Sequence, residues 1–239
     1  MIYVMYIAVV LTGYLIGSIP FGVILTQIFA KKDIRQVGSG KIGMTNVMRA
    51  AGMKAAALAL LLDLGKGALS AFVAMLVFKS AYVTGLVADV SNIMYYAQAL
   101  ASMAAIAGHT WSIFLRFTGG RGVNTFLGGL LVMYWPAAVF GGALMIIVGL
   151  VSRYMSLGSI FGAIAAFIML IIVVIVKSFP VEYMTYTTYT MICAVFIFVM
   201  HRDNVSRLVS GTERKLGKDA EPKESTADKP RKSAVSTFH

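Results

Sequence analysis

Apolar runs long enough to cross a bilayer leave this chain little choice of fold. A spanning helix takes about 20 apolar residues, and five stretches qualify: Ile2 to Phe29, Ala55 to Phe78, Ile93 to Gly108, Leu157 to Val176 and Tyr183 to Met200, the third with help from its neighbours. A further run, Val123 to Val151, covers 29 residues with Trp135-Pro136 near its centre. It reads either as one long kinked helix or as two short helices turning there. With 59% apolar and 13% charged residues, the chain has more apolar surface than a soluble core of this size would bury. The first stretch, Met1 to Leu25, is too long for a secretory signal and no Lys or Arg precedes it, so it reads as a retained span. Cys193 is the single cysteine, which excludes an internal disulfide and a cysteine metal cluster.

Charge decides the parity of the crossings. The net charge of +11 is carried in the connections, and basic connections mark the cytoplasmic side. Lys31, Lys32, Arg35, Lys41, Arg49 and Lys54 place the first loop inside, and the basic segment from Arg202 onward places the end inside too. Only two crossings in the interrupted run satisfy both, and they bring Arg116, Arg121 and Arg153 to the same side. The expected fold is therefore an all-α integral membrane protein of about seven transmembrane helices, N-terminus outside and C-terminus cytoplasmic, with a short helical hairpin turning near Trp135-Pro136. Each hairpin arm is only ~14 residues, or ~21 Å at the helical rise. It must thin the bilayer or be shielded by neighbours. Residues 1–216 form the membrane domain, and 217–239, rich in Lys, Pro, Ser and Asp without apolar periodicity, read as a disordered cytoplasmic tail.

Three polar loops fall on that one side. In the first, Asp33 to Arg49, Gly38, Gly40 and Gly43 allow backbone N–H groups to turn into one concavity, a nest for an anion. Ser39, Thr45 and Asn46 add neutral donors, Lys41 and Arg49 add charge, and the following helix start favours phosphate. Met44 lies in the same turn. The GxxxxGK[ST] spacing of a nucleotide P-loop is absent. In the second loop Gly119, Gly120 and Gly122 surround Arg121 just before an apolar helix, with His109 upstream. Trp111 and Phe114 read as interfacial anchors. In the third, His201, Asn204 and Arg207 lie at i, i+3 and i+6 and would share one helical face. Ser156 and Ser159, at the inner end of the Leu157 span, either bind an anion or bond back to helix carbonyls. Within the spans, Asp63 and Lys66 form an i, i+3 pair whose role is either an ion pair or a substrate contact.

At these residues the chain resembles the bacterial membrane acyl-phosphate:glycerol-3-phosphate acyltransferases, the PlsY family. The resemblance runs to Glu213 and rests on Gly17-Ser-Ile-Pro-Phe-Gly22, Asp33-Ile-Arg, Gly38-Ser-Gly, Thr45-Asn46 with Arg49, Asp63 with Lys66-Gly67, and Gly108-His109. It continues through Gly119-Gly-Arg-Gly-Val, Ser156-Leu-Gly-Ser159, His201-Arg-Asp-Asn204, Arg207-Leu and Gly211-Thr-Glu213. The family usually has Asn, Ala, Lys and Ala where this chain has Lys41, Met44, Arg121 and Asn124. The resemblance implies acyl transfer from an acyl phosphate to the 1-hydroxyl of sn-glycerol 3-phosphate, giving lysophosphatidic acid and phosphate with no metal, cofactor, coenzyme A or carrier protein.

It further implies that Ser39, Arg49, Arg121, His201 and Asn204 hold glycerol phosphate. Backbone donors at Gly40, Lys41, Gly43, Met44 and Thr45 then hold the acyl-phosphate head, with the chain between helices. The attacking proton goes to the departing phosphate, or to His109 or His201. The expected partners are these substrates, the lipid bilayer and the enzyme supplying acyl phosphate, with no nucleic acid; the expected location is the bacterial inner membrane, with the site on the cytoplasmic side. Soluble glycerolipid acyltransferases carry His-x4-Asp, and neither His109 nor His201 has the carboxylate. The rival from another class is an anion transporter, which the placement of all polar loops on one side disfavours.

Overall fold

The computed structural model describes residues 1–86 and 91–217; the expected tail, 217–239, lies outside the described residues apart from its first. The chain forms α1 (Ile2–Ser18), α2 (Phe21–Ala30), α3 (Met44–Val83), α4 (Ser91–Thr110), α5 (Val123–Ser152), α6 (Met155–Val176), α7 (Val181–Met200) and α8 (Arg202–Val209). Short 3-10 turns at Ile34–Gln36 and Ile113–Leu115 sit in the first two polar loops. Among the described residues there is no strand.

The first apolar stretch is not one helix. Pro20 removes an N–H and pushes Ile19 out of helical geometry (φ −57°, ψ 120°), so α1 stops at Ser18 and α2 restarts at Phe21. Together they still make one apolar segment, Ile2–Ala30. A second break, at Gly52 (φ 82°), separates the first two turns of α3 from its membrane-spanning part.

The interrupted run resolves as a hairpin. Helical geometry fails at Tyr134 (φ −154°, ψ 86°), beside Trp135-Pro136. A Cβ built on Gly142 would lie 3.8 Å from Cδ1 of Leu127, whereas 15 residues of straight helix would separate them by about 22 Å. The two arms of α5 therefore run antiparallel. With α1–α2, α3, α4, α6 and α7, they complete seven crossings. The arms are shielded as their short length requires: the first packs on α3, α4 and α7, the second on α6. Large apolar side chains such as Leu61, Ile172 and Val195 are left on the lipid-facing surface.

Small residues permit these contacts, as they do wherever membrane helices pack without a hydrophobic drive between them. A Cβ on Gly128 would collide with the carbonyl oxygen of Leu64, and one on Gly67 with that of Thr125, so α3 and the first arm of α5 touch backbone to backbone. Gly128→Ala is expected to force these helices apart and cost about 1–3 kcal/mol. Thermal melting in detergent checks this against Gly65→Ala, where nothing lies within 4 Å and no loss is expected.

Candidate active site

The first loop is held rigidly. Asp33 caps its 3-10 turn, accepting from the Arg35 N–H at 3.0 Å while its carboxylate grips the Arg35 guanidinium at 2.8 Å. Ile34 and Ile42 are buried beneath. Asn46 clamps the loop from inside: its Nδ2 donates to the carbonyls of Val37 and Lys41 at 2.9 Å and of Ile34 at 3.3 Å, while its Oδ1 accepts from the Ser39 N–H. Of the three glycines expected to turn the backbone, Gly38 and Gly40 adopt positive φ (53° and 69°), whereas Gly43 is extended (φ −74°), a conformation open to any residue. The loop ends at Gly43, which caps α3. Met44 and Thr45, in its first turn, carry N–H groups with no helical acceptor.

The second loop is built around His109, at the end of α4. Lys66 Nζ lies 3.0 Å from Asp63 Oδ1, and His109 Nδ1 lies 3.4 Å from both, with all three side chains almost completely buried. The i, i+3 pair is thus an ion pair with a third member from another helix, and Lys66 also sits over the Phe21 ring at 5.0 Å. Gly119 and Gly120 serve close packing: a Cβ on the first would strike the His109 carbonyl and on the second its imidazole. The Gly120 N–H donates to that carbonyl at 3.0 Å. Gly122 (φ 78°) caps α5 and leaves Arg121 at its threshold, where its buried Nε has no hydrogen-bond partner among the described residues.

The third loop starts where α7 ends. His201 donates from Nδ1 to the Ile197 carbonyl at 2.8 Å, which leaves Nε2 as the acceptor. Burial, then the charge of Arg121, pushes its pKa down to about 4. Asn204 and Arg207 do share a face, and a residue absent from the expected site organises it. Glu213 accepts from Asn204 Nδ2 (2.6 Å), Ser156 Oγ (3.0 Å) and Arg207 Nε (2.8 Å). The Asn204 Oδ1 is buried without a hydrogen-bond partner among the described residues. Ser159 bonds back to the Met155 carbonyl at 2.8 Å, the commoner of its two readings. The segment after Glu213 folds back over the site, with the Leu216 N–H on the Arg153 carbonyl and Arg49 Nη2 3.5 Å from the Lys215 carbonyl.

The low His201 pKa has a consequence for stability. Folded, the imidazole stays neutral to about pH 4, whereas an unfolded histidine takes a proton near pH 6.5. Between those values the unfolded chain binds more protons, so stability present above about pH 6.5 is lost as pH falls towards 4. Thermal melting from pH 7 to 4.5 should therefore fall more steeply for the parent protein than for His201→Gln.

All three loops open on one cavity of about 330 Å³. Of the expected residues, Ser39, Lys41, Gly43, Met44, Thr45, Asn46, Arg49, His109, Arg121, Gly122, Ser156, Ser159, His201 and Asn204 line it. Gly38, Gly40, Gly119, Gly120 and Arg207 lie behind this lining and shape it. The N-termini of α3, α5 and α6 all face the cavity, at Gly43-Met44, Gly122-Val123 and Met155-Ser156, adding partial positive charge to that of Arg49 and Arg121. The opposite end is apolar, walled by α3 and both arms of α5. Asp63, Glu213, Arg214 and this apolar wall were not in the expected site. Asp63 and Glu213 were legible as an intramembrane charge and as part of Gly211-Thr-Glu213. The wall was not, because its leucines look like any others in a span. Among the described residues no three His, Cys, Asp or Glu side chains gather as a metal site would need.

The family profile described as glycerol-3-phosphate acyltransferase matches residues 7–211. The chain belongs to the glycerol-3-phosphate acyltransferase family. Among the relatives of this acyltransferase, glycerol-3-phosphate acyltransferase 3 of Dehalococcoides mccartyi (strain CBDB1) is 44% identical over 89% of this chain and 96% of its own. The glycerol-3-phosphate acyltransferase of Zymomonas mobilis is 38% identical over 86% and 92%. Among solved structures, the glycerol 3-phosphate form of PlsY, an integral membrane glycerol 3-phosphate acyltransferase, superposes with a TM-score of 0.69 at 32% identity, covering 89% of this chain and 96% of that one. Its lysophosphatidic acid form gives the same TM-score at 30% identity, over 88% and 94%. The membrane fold, the acyltransferase class and the resemblance drawn from the motifs are all borne out, and the transporter reading falls away.

Proposed function

We propose that this acyltransferase moves a fatty acyl group from an acyl phosphate to the 1-hydroxyl of sn-glycerol 3-phosphate, releasing lysophosphatidic acid and inorganic phosphate. The observation that carries this reading is one shared cavity, with three helix N-termini and the guanidinium groups of Arg49, Arg121 and Arg214 around its polar end and an apolar slot beyond. That arrangement suits two phosphates held side by side and one long chain. The two PlsY forms, named for glycerol 3-phosphate and for lysophosphatidic acid, support the same acceptor and product.

In the proposed step the glycerol oxygen attacks the carbonyl carbon, the bond from that carbon to the phosphate oxygen breaks, and the hydroxyl proton passes to the departing phosphate. An acyl phosphate is already activated, so holding both reactants in line supplies much of the rate. Ser39, Arg49, Arg121 and Asn204 bind glycerol phosphate. His201, neutral and with Nε2 as acceptor, orients the attacking hydroxyl; its depressed basicity suits an acceptor better than a proton store. The N–H groups at the start of α3, with the backbone donors of the Gly38–Gly43 loop, receive the acyl-phosphate head. His109, locked against Asp63 and Lys66, braces the Arg121 loop through Gly119 and Gly120.

On this reading the reaction runs at the cytoplasmic face of a bacterial inner membrane, which is supported by Lys31, Lys32, Arg35, Arg116, Arg121 and Arg153 in the connections on the site side. The N-terminus is then outside. An enzyme that forms acyl phosphate must act upstream. The test is product formation by purified protein in lipid, given radiolabelled glycerol 3-phosphate with palmitoyl phosphate or, separately, palmitoyl coenzyme A. Lysophosphatidic acid is expected from palmitoyl phosphate alone; product only from the thioester would overturn the donor.

A further inference from the structure

The apolar slot has an uneven wall. Three helical i, i+4 pairs line it: Leu60 and Leu64 on α3, Leu127 and Leu131 on the first arm of α5, and Ala138 and Gly142 on the second arm. Two walls are leucine; on the third, Met145 and Ile146 line the part nearer Ser152, while Ala138 and Gly142 leave the part nearer the hairpin turn almost bare. Glycine destabilises a helix interior relative to alanine, and most α5 and α6 glycines are explained by contact, since a Cβ on Gly128, Gly141, Gly158 or Gly162 would strike a neighbouring backbone oxygen. Gly142 is different. A Cβ there would meet only Cδ1 of Leu127, at an ordinary 3.8 Å, so helix packing does not require a glycine; the space it leaves belongs to the slot.

We propose that Gly142 and Ala138 set the length of acyl chain this enzyme accepts, with Leu127 facing Gly142 and Leu131 one turn further along the same arm. The inference rests on the acyl-phosphate reading above. Gly142 lies ten residues from Ser152, at the phosphate end of its arm, and Ala138 fourteen, depths of about 15 and 21 Å. Half of the ~30 Å hydrocarbon core is about 15 Å, so Gly142 sits where a chain that reaches the bilayer midplane ends and Ala138 just beyond it. A short chain ends before reaching them. Bulk at either position therefore acts on long donors and leaves the phosphate-binding end of the cavity untouched.

The experiment compares kcat/KM for octanoyl and palmitoyl phosphate in the parent, Gly142→Leu and Leu131→Ala proteins, with thermal melting of each. Each methylene's worth of fit in an apolar pocket is worth roughly ten-fold or more, so Gly142→Leu is expected to lower the palmitoyl-to-octanoyl ratio about ten-fold or more. Leu131→Ala, which deepens the slot, should raise the ratio for stearoyl over palmitoyl phosphate. Restored use of palmitoyl phosphate by Gly142→Leu/Leu127→Ala would tie the effect of Gly142→Leu to the space that it shares with Leu127. Parent-like ratios in both single variants, or equal losses for every donor, overturn the proposal. Failure of the parent protein itself with all three acyl phosphates would instead sink the reading on which it rests.

Discussion

Arg121→Ala should lower kcat/KM for glycerol 3-phosphate by about 100-fold or more, the scale expected when one partner of a desolvated charge pair is removed. Arg121 stands at the capped start of α5, lines the cavity and carries a buried Nε without a partner among the described residues. Burial, then the positive charge of Arg207, weighs against its charged form. Without an anion, several cations therefore face one another across the cavity, and a bound phosphate relieves that repulsion. The same reasoning makes a second readout informative. Glycerol 3-phosphate should raise the melting temperature of the parent protein and fail to do so for Arg121→Ala, whose unliganded stability should be at least that of the parent. Arg121→Lys keeps the charge and loses the planar fork, so it should retain an intermediate activity. Parent-like kinetics for Arg121→Ala would remove the residue from the site.

Glu213→Ala should be the most damaging single change to the folded protein. One carboxylate accepts hydrogen bonds from Ser156 on α6 and from Asn204 and Arg207 on α8. Its side chain is 6% exposed. Truncation would leave a buried hydroxyl and amide unpaired and the partly exposed Arg207 without its ion pair, a loss of about 2–6 kcal/mol at roughly 1–3 kcal/mol for each buried group left unsatisfied. Melting temperature and activity should fall together. Glu213→Gln preserves the acceptor for Ser156 and Asn204 while losing the charge facing Arg207, so it should fall between. A Glu213→Ala protein that melts like the parent would show that these contacts do not hold the three elements together.

The two residues differ in how far the sequence reveals them. Arg121 stands out because glycines crowd a lone cation at the start of an apolar helix, a local pattern. Glu213 looks like one more charge in a basic exit segment, and its importance lies in Ser156, 57 residues away. His109 shows the same limit. The Asp63–Lys66 spacing announces an ion pair on one helix, but only the packing of α4 on α3 adds the imidazole, 43 residues from Lys66.

The crossings, the hairpin and the clustering of polar loops at one end follow from the sequence alone, because each has a cause written along the chain. Apolar length makes a span, Trp135-Pro136 interrupts one, Gly38 and Gly40 free the backbone, and basic residues mark the connections at one end. The break at Pro20 has a local cause too, proline geometry, but apolar length alone reads Ile2 to Phe29 as one stretch. Tertiary structure alone decided how Glu213 and the Asp63–Lys66–His109 cluster are assembled, and which leucines face a slot instead of lipid. In a bilayer a leucine facing lipid and one facing an acyl chain meet the same chemistry, so hydropathy cannot separate them. That choice is made by small residues such as Gly128, which bring the helices close enough to enclose one face and leave the other outside.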